Sequence, residues 1–237
     1  LLVLERRYGK DGRHTEQTEL LSRALEHLQH QQARQPDDAG LRDRRRTLLL
    51  RLGDVQREHL DAVAQATATF EQVLKEWPAE PAAMRALVGL YGSQDRTQDQ
   101  LRVLSGLLEV TVEVGDRSRL LFQLGELDEK QGHIEDAYKR YGQAFHLDPT
   151  NRGAFTAYER LCYRREQWQE AIRIYDTALK LIETQKTRSY RPADLYVRRG
   201  QVLLQYLQQT DEALQNYLRA LETDAESDST QATVERI

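Results

Sequence analysis

Residues 137–144 read AYKRYGQA, residues 171–178 read AIRIYDTA and residues 213–220 read ALQNYLRA. Each stretch opens on Ala (Ala137, Ala171, Ala213), places Tyr four residues on (Tyr141, Tyr175, Tyr217) and closes on Ala three further (Ala144, Ala178, Ala220). From Ala137 to Ala171 is 34 residues. An internal period of that size belongs to a helical solenoid, in which each repeat packs only on its neighbours.

The pattern extends outward from these stretches. Ala66, Phe70 and Val73 take the same parts upstream, and Leu101, Ser105 and Leu108 form a degraded copy between. About twelve residues before each small residue stands an apolar-plus-glycine signal: Leu52-Gly53, Val88-Gly89, Leu124-Gly125 and, without the apolar partner, Gly200. Each unit therefore reads as helix A, turn, helix B, with glycine on A facing alanine on B so that the two helices approach closely. Runs such as residues 120–130 and 134–147 carry apolar residues at i, i+3, i+4 and i+7, and no segment alternates long enough for a strand, so the chain reads as all-α.

These residues resemble the tetratricopeptide repeat family, whose pattern asks for an apolar residue at repeat position 4, Leu-Gly at 7 and 8, Ala at 20, an aromatic at 24, Ala at 27 and Pro at 32. Residues 118–151 supply Leu121, Leu124, Gly125, Ala137, Tyr141, Ala144 and Pro149. Residues 152–185 follow without a gap but carry Tyr158-Glu159 in place of Leu-Gly. The division expected is one array: 1–45 a partial repeat, mostly its helix B, with a linker; 46–81 a repeat; 82–117 a degenerate repeat; 118–151 a repeat; 152–192 a repeat plus an inserted loop; 193–227 a repeat; and 228–237 the start of a further, truncated one. One extra residue is expected in the turns of 46–81 and of the unit from Ala193. The resemblance implies a right-handed α-solenoid of antiparallel helix pairs, the TPR-like superhelix. Because the chain opens on Leu1 and both end repeats are incomplete, it reads as a fragment of a longer protein, and 28 Arg against 6 Lys points to a GC-rich bacterial genome.

Function is read from charge and from the face that helix A presents. The net charge is −4, yet residues 152–200 carry eleven basic and six acidic side chains, leaving that segment at +5 and the remainder at −9. The resemblance implies that repeat positions 2, 5, 9, 12 and 13 of helix A line a concave groove. They supply Arg119, Phe122, Glu126, Glu129 and Lys130 in one unit, Thr156, Arg160, Tyr163 and Arg164 in the next, and Gln201 and Gln205 in the one after. Arginine forks pair with carboxylates bidentately and tyrosine adds flat apolar area, so the Arg160–Tyr163–Arg164 cluster suits an acidic protein or peptide partner. The alternative is a solvated face carrying both signs of charge. A basic, aromatic inserted loop (Lys186, Arg188, Tyr190, Arg191) is a second candidate surface. Chaperone-clamp members of the family place asparagines in the groove, and here only Asn151 and Asn216 occur, both elsewhere, so a chaperone C-terminal carboxylate clamp is not expected.

Other signals are weak. His27 and His30 lie three apart without a third ligand at metal spacing, Cys162 reads as a buried structural thiol, and Trp168 and Trp77 as seam plugs. There is no phosphate loop, zinc spacing or nucleophile elbow, so no catalytic residue, metal or cofactor is expected. A non-catalytic protein-binding scaffold is the favoured reading. A recruiting arm of a larger enzyme is the alternative, and an RNA-binding helical repeat fits poorly with the acidity. No stretch spans a membrane, the single cysteine fits a reducing, cytoplasmic setting, and the oligomeric state is not legible.

Overall fold

A computed structural model describes residues 2–185 and 189–224. The expected truncated repeat at 228–237, and Lys186 and Arg188 of the inserted loop, lie outside the described residues. Among the described residues there are twelve α-helices and no strand: α1 Leu2–Lys10, α2 His14–Arg34, α3 Ala39–Glu58, α4 Val63–Glu76, α5 Pro81–Ser93, α6 Thr97–Val110, α7 Val114–Lys130, α8 Ile134–Leu147, α9 Arg152–Arg164, α10 Trp168–Gln185, α11 Pro192–Gln205 and α12 Thr210–Thr223. They form two compact units, Leu1–Val110 and Thr111–Ile237. Within each unit successive helices pack on one another as antiparallel pairs, the arrangement expected of a solenoid.

The turns inside the pairs are built alike. Each contains one residue with positive φ: Gly12, Asp61, Asp95, Gly132, Glu166 and Gln208. In four of them a backbone N–H just past the turn reaches five residues back: Arg13 to Tyr8, Arg96 to Tyr91, His133 to Asp128 and Gln167 to Cys162, at 2.8–2.9 Å. In the other two it reaches six back, Ala62 to Gln56 at 3.0 Å and Gln209 to Leu203 at 2.8 Å. Those are the two turns in which the sequence spacing asks for one extra residue. The turn absorbs it by widening the closing hydrogen bond, leaving the helix phases unchanged.

The turns also set the register of the degenerate repeat. From Asp61 to Asp95 is 34 residues and from Asp95 to Gly132 is 37, so Leu87 and Leu104 occupy the places of Leu124 and Tyr141. Both are fully buried, 0% and 1% exposed. The expected signal Val88-Gly89 is thus off by one: a Cβ on Gly89 would meet nothing within 4 Å. Leu101, Ser105 and Leu108 likewise sit one residue past Gln100, Leu104 and Leu107, of which Leu104 and Leu107 are buried.

An aromatic ring, and not the alanine expected from the sequence, faces the helix-A glycine. A Cβ on Gly53 would lie 2.6 Å from the Phe70 ring, one on Gly125 2.6 Å from Tyr141, and one on Gly200 2.7 Å from Tyr217. Glycine therefore makes room for the aromatic at repeat position 24 and not for the alanine at 20. The alanines Ala137, Ala144, Ala171 and Ala178, each 0% exposed, line the same seam where no larger side chain fits.

Repeats join through contacts that span the turn between helix B and the next helix A. Asn151 caps α9, its Oδ1 accepting from the Ala154 N–H at 3.1 Å, while its Nδ2 donates to Ser118 Oγ at 2.9 Å. Ser118, 0% exposed, donates in turn to the Ala144 carbonyl at 2.9 Å, so one hydroxyl ties α7, α8 and the cap of α9 together. The Tyr138 and Tyr158 rings lie 5.0 Å apart between α8 and α9. Trp168 stacks on Tyr206 at 3.7 Å and 8°, closing the seam that its position anticipates.

Replacing Gly125 by Ala drives a methyl group into the Tyr141 ring and is expected to lower unfolding free energy by ~1–3 kcal/mol. Gly89→Ala, at an exposed helix-interior site, is expected to raise it by up to ~1 kcal/mol. Urea unfolding followed by circular dichroism distinguishes the two, and equal effects of the same sign would contradict the register given above.

Candidate functional site

The helix-A face of the second unit is formed by α7, α9 and α11. Burial of one stripe of each helix in the pair seam turns the opposite stripe outward, and it brings together Phe122 and Glu126 of α7 with Thr156 and Arg160 of α9. Phe122, Glu126, Glu129, Gly153, Thr156 and Arg160 line a single open depression of about 470 Å³. The Phe122 ring packs 5.6 Å from Tyr141, and a Cβ on Gly153 would come within 3.0 Å of it. Gly153 lets the first turn of α9 close over that ring.

Two of the three charges lining this depression, Glu129 and Arg160, are paired with each other. Arg160 grips Glu129 with both guanidinium nitrogens, at 2.7 and 2.6 Å, and Arg164 stands 3.8 Å from the same carboxylate. Tyr141 donates to Glu129 at 3.1 Å. The Arg160 hydrogen bond foremost, against some burial, holds the Glu129 carboxyl below its ordinary range. Glu126 behaves in the opposite way. Burial, reinforced by the charge of Glu129, pushes its carboxyl up.

A second cleft, about 260 Å³, lies beside the first and is lined by Arg152, Phe155 and Thr156 of α9, by Ser189, Tyr190 and Arg191, and by Asp194, Leu195 and Arg198 of α11. Thr156 belongs to both clefts, so they form one continuous surface. Arg198 pairs with Glu159 at 2.9 Å, and Glu159 also accepts from Tyr175 at 2.6 Å. Arg191 pairs with Asp224 at 2.5 Å. Tyr190 is anchored to the fold, its hydroxyl donating to the Pro149 carbonyl at 2.5 Å and its ring 4.8 Å from Phe155. Burial pushes the Tyr190 hydroxyl up. The described part of the inserted loop is thus a wall of this cleft.

The remaining expected residues are placed apart. Arg119 is exposed and pairs with Asp116 of its own helix at 2.6 Å. Lys130 is exposed at the end of α7. Tyr163 is half-buried, its hydroxyl 3.1 Å from that of Tyr175 and its ring against Trp168 and Tyr206. Gln201 is half-buried and Gln205 exposed on α11. Sequence reading overlooked Arg152 and left Arg198 unassigned. Arg152 stands one helical turn before Thr156, a spacing that identifies it once Thr156 is placed. Asn151 is occupied as a cap, and Asn216 donates to the Glu212 carbonyl of its own helix at 2.7 Å.

Nothing in the described residues groups three or more His, Cys, Asp or Glu side chains around a metal position. Cys162 is 0% exposed, and burial pushes its thiol up to about 12. No described helix is long and apolar enough to cross a membrane.

Residues 47–79 match the family model of the tetratricopeptide repeat. No curated protein matches the chain. Among solved structures, the MamA protein is similar at a TM-score of 0.50 and 18% identity, over 76% of this chain and 92% of that one. PilF of Pseudomonas aeruginosa is similar at 0.49 and 15%, over 99% and 95%. YrrB, described as a TPR protein with an unusual peptide-binding site, is similar at 0.48 and 14%, over 89% and 98%. At such identity the MamA likeness is one of fold.

Two outcomes check this geometry. The folded-state carboxyl of Glu129 is lowered, so its contribution to stability is complete above the ordinary carboxylate range and is lost as pH falls through the lowered value. Glu129→Gln is therefore expected to destabilise by about 1 kcal/mol or less at pH 7, since Arg160 is half exposed, and by nothing measurable well below pH 4. Paired urea titrations at the two pH values read this. Cys162 is expected to react with a thiol reagent at pH 8 only when denaturant opens the fold, and prompt stoichiometric reaction would contradict its burial.

Proposed function

Because this chain is a tetratricopeptide-repeat protein, we propose that it acts as a non-catalytic scaffold. In this reading it holds a segment of a partner protein along the helix-A face of α7, α9 and α11 and so assembles a multiprotein complex. The observation that carries the reading is the continuous surface joining the two clefts at Thr156. Such a strip suits an extended polypeptide better than a small molecule, because it is open along its length and offers polar and apolar contacts by turns. The residues proposed to meet the partner are Arg119, Phe122, Glu126, Lys130, Thr156, Arg160, Tyr163, Arg164, Gln201 and Gln205, with Tyr190 and Arg191 at the loop side.

Both asparagines are engaged elsewhere, which supports the proposal that the site is not a chaperone C-terminal carboxylate clamp. Peptides ending in a free carboxylate should then bind no better than their amidated forms. The acidity of the chain as a whole, −4, disfavours a nucleic acid partner, whose phosphates call for net positive charge.

Reversing Arg160 and Arg164 to Glu is expected to lower capture of a bound partner by about tenfold or more while leaving helical content unchanged. The measurement is pull-down with the immobilised chain, quantified by mass spectrometry, alongside circular dichroism of both proteins. Capture unaffected by the double reversal would remove this face from the proposal, and nucleic acid as the recovered partner would overturn it.

A further inference from the structure

The charges lining the two clefts divide into those already matched within the protein and those left open. Glu129 is matched by Arg160 and Arg164, Glu159 by Arg198, and Asp224 by Arg191. Asp194 lies in the first turn of α11, where the positive end of the helix offsets its charge. Two groups remain. Glu126 in the first cleft and Arg152 in the second have no ion-pair or hydrogen-bond partner among the described residues. They are of opposite sign, they lie on either side of Thr156, and the apolar ring of Phe122 lies in the first cleft with Glu126.

We propose that the strip selects an extended partner segment of defined charge order, carrying a lysine or arginine that meets Glu126, an apolar residue over Phe122, and a single aspartate or glutamate that meets Arg152. The inference rests on the scaffold reading above and deepens it. It also changes the chemistry expected from sequence alone: a uniformly acidic segment would meet the unmatched Glu126 and be repelled. A dianionic phosphate is disfavoured for the second cleft, because only one of its three arginines is uncompensated. The raised Glu126 carboxyl agrees, since the attraction of an incoming cation offsets its partial desolvation and its repulsion by Glu129. Crossing one helix, about 10 Å wide, takes about three residues of extended chain, which sets the spacing between the two charges.

The test uses the full chain and a library of fluorescein-labelled twelve-residue peptides. One Lys, one Leu and one Asp are placed in every order and spacing within a Gly-Ser-Ala background, and binding is read by fluorescence anisotropy at low and at physiological salt. The expected result is selection of members with Leu between Lys and Asp in one chain direction. Affinity for them should fall about tenfold in Glu126→Lys or in Arg152→Glu, and the double variant should prefer the reversed order of charges. Both positions are exposed, and circular dichroism confirms that the variants remain folded. Peptides whose binding is lost in Phe122→Ala but unchanged by Glu126→Lys and Arg152→Glu would overturn the charge order while leaving the groove reading intact. No library member binding, with partner capture still lost in Arg160→Glu/Arg164→Glu, would also overturn the charge order alone. No binding together with capture indifferent to every groove variant would overturn both.

Discussion

The fold depends on an aromatic ring seated over a residue that has no side chain. In three helix pairs the ring of Phe70, Tyr141 or Tyr217 occupies the volume where a Cβ of Gly53, Gly125 or Gly200 would stand. That fit lets the two helices approach closely, and it fixes the rotation of each helix about its own axis. Rotation in turn decides which stripe of helix A points away from the seam. The outward stripes of α7 and α11 are therefore a consequence of packing on their far sides.

The same packing organises the polar groups above it. Tyr141 is buried through its ring but reaches Glu129 with its hydroxyl, and Tyr175 reaches Glu159 in the same way. Each carboxylate is then met from the next helix A, Glu129 by Arg160 and Glu159 by Arg198. These ladders run from seam to surface and consume most of the charge that a count of residues assigns to the groove. Exposed pairs of this kind contribute little to stability. Their consequence is selective, because they leave Glu126 and Arg152 as the groups with charge to offer a partner.

Much of this was legible in the sequence, for reasons that can be located. The Ala-Tyr-Ala stretches repeat because every helix B buries the same stripe, and burial tolerates few substitutions in a close-packed seam. The groove side was legible from repeat position: Phe122, Glu126, Thr156 and Arg160 do share a depression. The register at 82–117 was not, because Gly89 imitates a seam glycine while facing outward, and three extra residues precede the next turn. Nor was the pairing of Arg160, whose partner Glu129 is 31 residues away in sequence. Tyr190 read as an exposed loop aromatic because nothing in its neighbourhood announces the Pro149 carbonyl 41 residues back. Pairings between repeats depend on helix rotation, which pattern alone places only to within a residue.

The central claim is that this chain receives its partner on the helix-A face of residues 111–224. Hydrogen–deuterium exchange of the chain, measured with and without its captured partner, tests it most directly. The account predicts slowed exchange concentrated in peptides covering α7, α9 and the start of α11. Slowing confined to α8, α10 and α12, with the helix-A peptides unchanged, would contradict it.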